Sequence, residues 1–399
     1  MKIAYLSDSR LPTQSANSIH VMHAAEALGK QGHEVLLVGF WGTKQIPSRW
    51  SIDLYDYYNT ERTFGIRRYF NGGFGKRDRK SRWKSIIRQM VREDFDLVWT
   101  RNLHAAECAT QSGLPTLFEI HQPFFGSDEE RQIEVLRRMV DDESLLAVVT
   151  ITKALRDFVI HQYDLPASKI IVAPDGARRR KNELKRRGAD HEGAFKVGYI
   201  GSFYSGKGIE IVLPLANRCS DIQFTVIGGD PKSIQEVRRK YGAGTNVCFT
   251  GYLTQKEIEL MKDDFDVFLL PNQRSVRISG GNDIGSFTSP LKLFEYMAVG
   301  RPILASNLPV LTEILTDEVN SLLCDPSNLD EWESQLRRLQ NDEALRHRLG
   351  QQAKETFEKK YTWETRMSNV IRDVVVPHFQ KTVSTTAFKK RKRNTNISR

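Results

Sequence analysis

Short apolar runs rich in β-branched and aromatic residues recur along the chain and alternate with helical patterns. In the first half they are KIAYLSDS (2–9), HEVLLVGF (33–40), DLVWTRN (Leu97 included), TLFEIH (116–121), AVVTIT (147–152) and IIVAP (170–174). Between the first two lies SIHVMHAAEALGKQGH, a helical pattern with Gly32 as its expected C-cap. The pattern restarts with FKVGYIGS (195–202), IQFTVIGG (222–229), VCFTGYL (247–253), DVFLLPN (266–272) and PILASN (302–307). Such alternation predicts an α/β fold of two Rossmann-like, doubly wound domains, each with its ligand crevice at the carboxyl ends of the strands.

Between the halves, RRRKNELKRRGADHEGA (178–194) loses apolar periodicity and reads as a basic linker or exposed loop. The predicted domains are therefore 1–180 and 195–360, joined by 181–194. A helix over 361–380 is expected to cross back to the first domain. The basic tail 381–399 is expected to be disordered.

The bulk properties agree with two cores. The chain has 399 residues, 40% of them hydrophobic. A net charge of +10 fits an anionic ligand, an acidic membrane surface or nucleic acid without choosing among them. Cys108, Cys219, Cys248 and Cys324 are scattered, so neither a zinc site nor a disulfide framework is indicated; buried reduced thiols are expected. The opening MKIAYLSDSR is too short in apolar residues for a signal segment, and no run approaches the roughly 18 apolar residues of a membrane span. A cytoplasmic protein is the resulting expectation.

The most informative stretch is SPLKLFEYMAVG (289–300). Ser289 suits an N-cap, Pro290 the first helical position and Gly300 the residue past the helix end. Lys292 then falls at the third helical position, where its charge opposes the helix dipole. An anion bound there removes the conflict, because exposed N–H groups, the dipole and an ammonium make a phosphate site. Glu295, one turn on, is an acceptor for hydroxyls such as those of a ribose. Phosphate site and hydroxyl acceptor together suggest a nucleotide. An ordinary helix with a solvated lysine and a surface glutamate fits the same residues.

Residues 201–208 read GSFYSGKG, one residue from a Walker A loop. Gly208 replaces the Ser or Thr that holds magnesium, so a magnesium-dependent NTPase site is not expected. Lys207 and backbone N–H groups still suit phosphate; a plain turn is the alternative. The loop RSVRISGGNDIGSFT (274–288) reads as mobile, either closing on a ligand or merely connecting. His121 ends the strand TLFEIH at the crevice mouth, as a substrate contact or a structural histidine. PTQSANS (12–18) leads into a helix near Ser18, for a polar ligand or just a turn. Trp83, Ile86, Ile87 and Met90 form a helical stripe flanked by Arg and Lys, for an anionic membrane or for packing on the sheet.

With GSFYSGKGI, TVIGG, VCFTGYL, DVFLLPN, TSPLKLFEYMAVGRPILASNLPVLTEIL and YTWE in hand, the chain resembles the retaining GT-B glycosyltransferases of family 4 over nearly all of 1–380. KIAYLSDSRLPTQSANSIHV, GHEVLLV and FEIHQP extend the resemblance into the first domain. It implies a nucleotide-diphosphate sugar on the second domain. Lys207 would meet the diphosphate, with Ser202 in the same loop. Ser289, Pro290, Leu291 and Lys292 would form the helix start facing phosphate, and Glu295 would hold the ribose. Tyr252 and Leu253 would flank the base through their backbone. His121 would reach the transferred sugar, and the acceptor, a glycan or glycolipid, would sit near Asn17 and Ser18. It also implies retention by front-face displacement, with the leaving diphosphate helping to take the acceptor proton, and no bound metal or other cofactor.

Two positions depart from the family. The first of its paired glutamates falls at Phe287, and its arginine after the first loop glycine falls at Ser202, leaving one cation fewer unless Arg274 or Arg277 swings in. The rivals are a nucleotide-sugar 2-epimerase of the same fold and a non-catalytic nucleotide-sugar or polyanion-binding protein. Nucleic-acid binding is not expected, since the basic residues cluster in linker and tail without a reading motif. Peripheral attachment to an anionic membrane surface is expected from the charge, the tail and the Trp83 stripe.

Overall fold

The computed structural model describes residues 1–42, 52–71, 76–180, 194–277 and 281–381, with side chains from 80 onward in the third stretch. All but Ala194 of the expected linker and all but Lys381 of the expected tail lie outside these residues.

Among them, the first sheet contains β1 (Lys2–Arg10), β2 (Glu34–Trp41), β3 (Gly65–Phe70), β4 (Leu97–Thr100), β5 (Thr116–Ile120), β6 (Leu145–Thr150) and β7 (Ile170–Val172). All pairs are parallel, in the order β3-β2-β1-β4-β5-β6-β7. The second contains β8 (Lys196–Ile200), β9 (Gln223–Ile227), β10 (Val247–Gly251), β11 (Val267–Leu270), β12 (Ile303–Ser306) and β13 (Leu322–Cys324), also parallel, in the order β10-β9-β8-β11-β12-β13. Each sheet reverses its direction of growth beside its first strand, between β1 and β4 and between β8 and β11. Ligands of such sheets lie outside the carboxyl ends of the strands at that point.

The apolar runs miss the edge strands β3 and β13. β3 carries Arg67 and Arg68 and is buried on neither face; β13 is only three residues long.

The Ala16–Lys30 helix starts at Ser15, whose hydroxyl accepts from the Ser18 N–H at 3.2 Å. Its C-cap is Gln31, one residue before the expected Gly32, which instead takes the left-handed φ of 80° that follows a helix end. The Trp83 stripe is buried: Trp83, Ile86, Ile87 and Met90 pack with Leu6, Val38 and Val98 under the first sheet. At about 1.5–3 kcal/mol for each large apolar side chain buried, this face is committed to the core and is not a membrane surface. Among the described residues no helix is long and apolar enough to cross a membrane.

The Trp363–Val370 helix returns to the first domain, where Trp363, Met367 and Val370 join its core. Its approach is stitched by two backbone hydrogen bonds, Ala177 N–H to Tyr361 O and Trp363 N–H to Ala177 O, each 3.1 Å. A Cβ at Gly176 would stand 2.7 Å from the Tyr361 carbonyl, so only glycine fits this crossing.

The two domains also touch at a polar latch. Glu313 of the second domain accepts from Lys153 N–H (2.8 Å) and Ala154 N–H (3.0 Å) at the start of the first-domain Lys153–Gln162 helix. The Phe287 ring meets Phe158 edge-on at 4.9 Å beside it. Glu313→Ala should cost about 1 kcal/mol, the scale of a lost cap. It should also raise the radius of gyration of the free protein in small-angle scattering; unchanged scattering would show that this contact does not hold the domains.

Candidate active site

The glycine loop after β8 and the long loop after β11 meet at the second switch point. Gly206 (φ 86°) and Gly208 (φ 102°) press the first loop onto the second: a Cβ would stand 1.9 Å from Ser275 O at Gly206 and 2.4 Å from Pro271 at Gly208. The N–H groups of Gly206 and Gly208 do not form an open cradle, because both donate to the Glu210 carboxylate (2.8 and 3.1 Å). What the loop offers a ligand is Lys207. Burial lowers the pKa of its ammonium, and no carboxylate pairs with it among the described residues.

The loop after β11 leads into the Leu291–Val299 helix. Pro290, extended at ψ 122°, is its N-cap, and Leu293 N–H closes on Pro290 O at 2.9 Å. The helix thus starts one residue later than expected. Ser289 makes no capping bond, and Lys292 is the second helical residue. Pro290 has no side-chain donor or acceptor, so the Leu291 and Lys292 N–H groups lack an acceptor among the described residues. Gly300 ends the helix in the left-handed region, φ 79°.

Glu295 lies between two lysines. Lys292 Nζ is 3.0 Å and Lys262 Nζ 2.9 Å from its Oε2, and Lys262 also contacts Glu259 at 3.0 Å. Burial alone would raise the Glu295 carboxyl; Lys262 and Lys292 outweigh it and hold it at about 2. Glu259 balances Lys262 and Glu295 balances Lys292, so the cluster beside the helix start is close to neutral. Glu295, Leu291 and Lys262 line an interdomain cavity of about 320 Å³, faced by His23, Tyr58 and Arg178 from the other side.

The first-domain side is a buried polar network centred on Glu119, inward on β5. Its Oε2 accepts from Trp99 Nε1 (2.8 Å). Its Oε1 receives Arg366 Nη2 (2.8 Å) and His121 Nε2 (2.5 Å), with His20 Nε2 at 3.2 Å. His20 Nδ1 is 3.1 Å from Asp175 Oδ1, an ion-pair contact whose angles miss a hydrogen bond. His20, Glu119, His121 and Asp175 have the spacing of a metal-ligand set. The Arg366 guanidinium on Glu119 offsets one of the two carboxylate charges in this cluster.

Burial, and then Arg101, lowers His121 to a pKa of about 4, and burial with Arg178 does the same to His23. Both titrate at 6.5 when unperturbed. The unfolded chain therefore binds more protons between those values: stability is full above pH 6.5 and is lost as pH falls towards 4. Each histidine contributes up to about 1.4 kcal/mol per pH unit. Urea unfolding across this window should show the decline, shallower in His23→Asn; identical slopes would contradict it.

The other expected contacts lie as follows. Ser18 is fully buried, its hydroxyl donating to Thr13 O and Ser15 O within the turn, so it cannot meet an acceptor. Asn17 is partly exposed; its Nδ2 donates to Ser9 Oγ at 2.6 Å and its Oδ1 is without a partner among the described residues. Ser202 is engaged through its carbonyl, which accepts from Tyr199 OH (3.2 Å). Tyr252 is largely exposed, while Leu253 packs against the second core. Arg274 pairs with Asp325 (3.1 Å) at an exposed position. Residues 278–280 of the expected mobile loop lie outside the described residues. Its flanks are tied by Asp283, which accepts from the N–H groups of Val276 and Gly285. Arg178 and Arg180 are not solvated linker charges: Arg178 pairs with Glu26, and Arg180 with Glu259 and Asp263 (both 2.7 Å). Of the thiols, Cys248 is exposed and the other three are buried. No hydrogen bond or ion pair among the described residues joins His121 to Lys207 or Glu295.

Two Rossmann-like domains with facing carboxyl edges, and an anion-ready helix start on the second, define the GT-B class of glycosyltransferase. Residues 18–179 match Glycosyltransferase Family 4 and residues 180–356 match Glycosyl transferases group 1. The chain belongs to this family of glycosyltransferases. It is 21% identical over 376 residues to an uncharacterized glycosyltransferase of Methanocaldococcus jannaschii, covering 87% of this chain and 90% of that one. It is 23% identical over 274 residues to the alpha-D-kanosaminyltransferase of Streptomyces kanamyceticus, covering 63% and 67%. Among solved structures, sucrose-phosphate synthase of Thermosynechococcus elongatus superposes with a TM-score of 0.70 at 16% identity, covering 96% of this chain and 99% of that one. HepE of Anabaena in complex with UDP superposes with a TM-score of 0.69 at 14% identity, covering 94% and 99%. At these identities the structures share the fold.

Proposed function

We propose that the protein moves a hexose or N-acetylhexosamine from a nucleotide-diphosphate sugar to a glycan or glycolipid acceptor, with retention at the anomeric carbon. The observation that carries this reading is the uncapped start of the Leu291–Val299 helix, with Lys292 in its first turn and Lys207 unpaired among the described residues in the neighbouring loop. These groups suit a diphosphate. Glu295 keeps acceptor capacity beside its two lysines and would take ribose hydroxyls. The UDP complex of HepE supports a nucleotide donor on this fold.

In the proposed step the bond from the anomeric carbon to the diphosphate oxygen breaks while the acceptor oxygen enters from the same face. The acceptor's proton passes to the leaving diphosphate. Lys207, Lys292 and the helix N–H groups stabilise the charge growing there. His121 would contact the transferred sugar and Asn17 the acceptor; Tyr252 and Leu253 would flank the base. Because lysines supply the charge, turnover should survive a chelator; activity abolished by chelation and rescued by manganese would contradict this. Thermal shift with UDP-, GDP-, ADP- and dTDP-sugars tests donor binding: one nucleotide should raise the melting temperature, by mass action on the native state.

Attachment to the cytoplasmic face of an anionic membrane would rest on exposed Lys84, Arg88 and Arg92, opposite the buried Trp83 stripe. Co-sedimentation with anionic vesicles at low salt is the expected result, and no binding there would remove it.

A further inference from the structure

We infer that Arg366, on the returning C-terminal helix, is a positioning residue for His121: it holds the Glu119 carboxylate that orients that imidazole and fixes its tautomer. The inference rests on the reading of His121 as the first-domain group that meets the transferred sugar.

Arg366 is 3% exposed and spans the carboxyl edge of the first sheet. Its Nε donates to Pro174 O at 3.0 Å after β7, and its Nη2 donates to Glu119 Oε1 at 2.8 Å on β5, 247 residues away in sequence. Glu119 is 1% exposed. A carboxylate so buried stays ionised only beside a cation. Ionised, it accepts from His121 Nε2–H on Oε1 and Trp99 Nε1–H on Oε2. An imidazole that donates through Nε2 keeps Nδ1 as an acceptor, the role a sugar hydroxyl needs.

Without the guanidinium, two outcomes open. Glu119 takes up a proton and its grip on the ring weakens, or His121 takes the proton and Nδ1 ceases to be an acceptor. The groups that face this ring are Arg101 after β4, Glu119 on β5, Asp175 after β7 and His20 on the Ala16–Lys30 helix. Arg366 reaches the ring only through Glu119. Docking of the Trp363–Val370 helix therefore becomes a condition for catalysis in the other domain, not only for its packing.

The test is a double-mutant cycle on sugar transfer by the full chain, with His121→Ala, Arg366→Met and both. Arg366→Met should lower kcat by about 10- to 100-fold, the scale of displacing a group by a fraction of an ångström to an ångström, with donor KM little changed. In the His121→Ala background it should cost no more than about twofold, the scatter of independent sites. The pair Glu119→Gln/Arg366→Met removes one buried charge of each sign and should show the same kcat loss if the single variant does not fold. Arg366→Lys should recover part of the rate. Equal losses with and without His121, or full turnover in the folded Glu119→Gln/Arg366→Met protein, would overturn the inference and leave the reading of His121 intact. Unchanged transfer by His121→Ala would overturn that reading, and this inference with it.

Discussion

Lys207→Ala should lower turnover by about 100-fold or more, the scale of losing one preorganised group that stabilises transition-state charge, while the melting temperature stays level or rises. Both halves of the expectation come from the same observation. Lys207 is an ammonium that burial disfavours, without a carboxylate partner among the described residues. A partly desolvated charge without a partner contributes no stability, so deleting it costs little or stabilises. Such a lysine makes sense when its counter-ion is a ligand. The neighbouring Ser202 supplies no charge, and Arg274, the nearest substitute in sequence terms, pairs with Asp325 on the surface. Lys292 is then the other lysine at the proposed diphosphate site. Steady-state kinetics and thermal melts on the same preparation decide the matter. Near-normal turnover would remove the diphosphate from this loop.

Glu295→Ala should do the reverse and damage the fold together with the site. It strands Lys262, which is 5% exposed, with only Glu259 for company, and it strands Lys292 as well. Breaking a buried ion pair from one side costs about 3–5 kcal/mol. The isosteric pair Glu295→Gln/Lys262→Met removes one charge of each sign and should recover most of that stability. It should not recover donor affinity, because the carboxylate that accepts from ribose is gone. Chemical denaturation and nucleotide titration of the two variants separate the roles. Full donor affinity in the Gln/Met pair would show that Glu295 is a structural counter-ion and not a ribose contact.

Which parts of this were legible beforehand follows from the range of the interactions. The eleven apolar runs that mark β1, β2 and β4 to β12 are local signals, carried by the β-branched and aromatic residues that a parallel sheet mostly buries. β3 hides behind Arg67 and Arg68, and β13 is too short to show a period. In the site, SPLKLFEY is readable because a lysine in a first helical turn is out of place locally. Lys262, Glu210, Glu313 and Arg366 carry no such mark. Lys262 finds Glu295 from the end of the preceding helix, and Arg366 finds Glu119 across the whole chain. Glu119 itself, a charge inside the run TLFEIH, was the one visible hint of a buried network. Ser289 and Ser18 show where local rules slip: the helix cap falls on Pro290, one residue after Ser289, and the Ser18 hydroxyl is used inside a turn.

The central claim is transfer, not binding alone. The direct measurement is to incubate the protein with each nucleotide sugar and a panel of glycan and glycolipid acceptors, and to quantify both released nucleoside diphosphate and new glycoside by mass spectrometry. The expected result is stoichiometric diphosphate and glycoside from one donor, with retained anomeric configuration by NMR and loss of both products in Lys207→Ala. A donor that raises the melting temperature yet yields neither product with any acceptor, or a product with inverted configuration, would contradict the account.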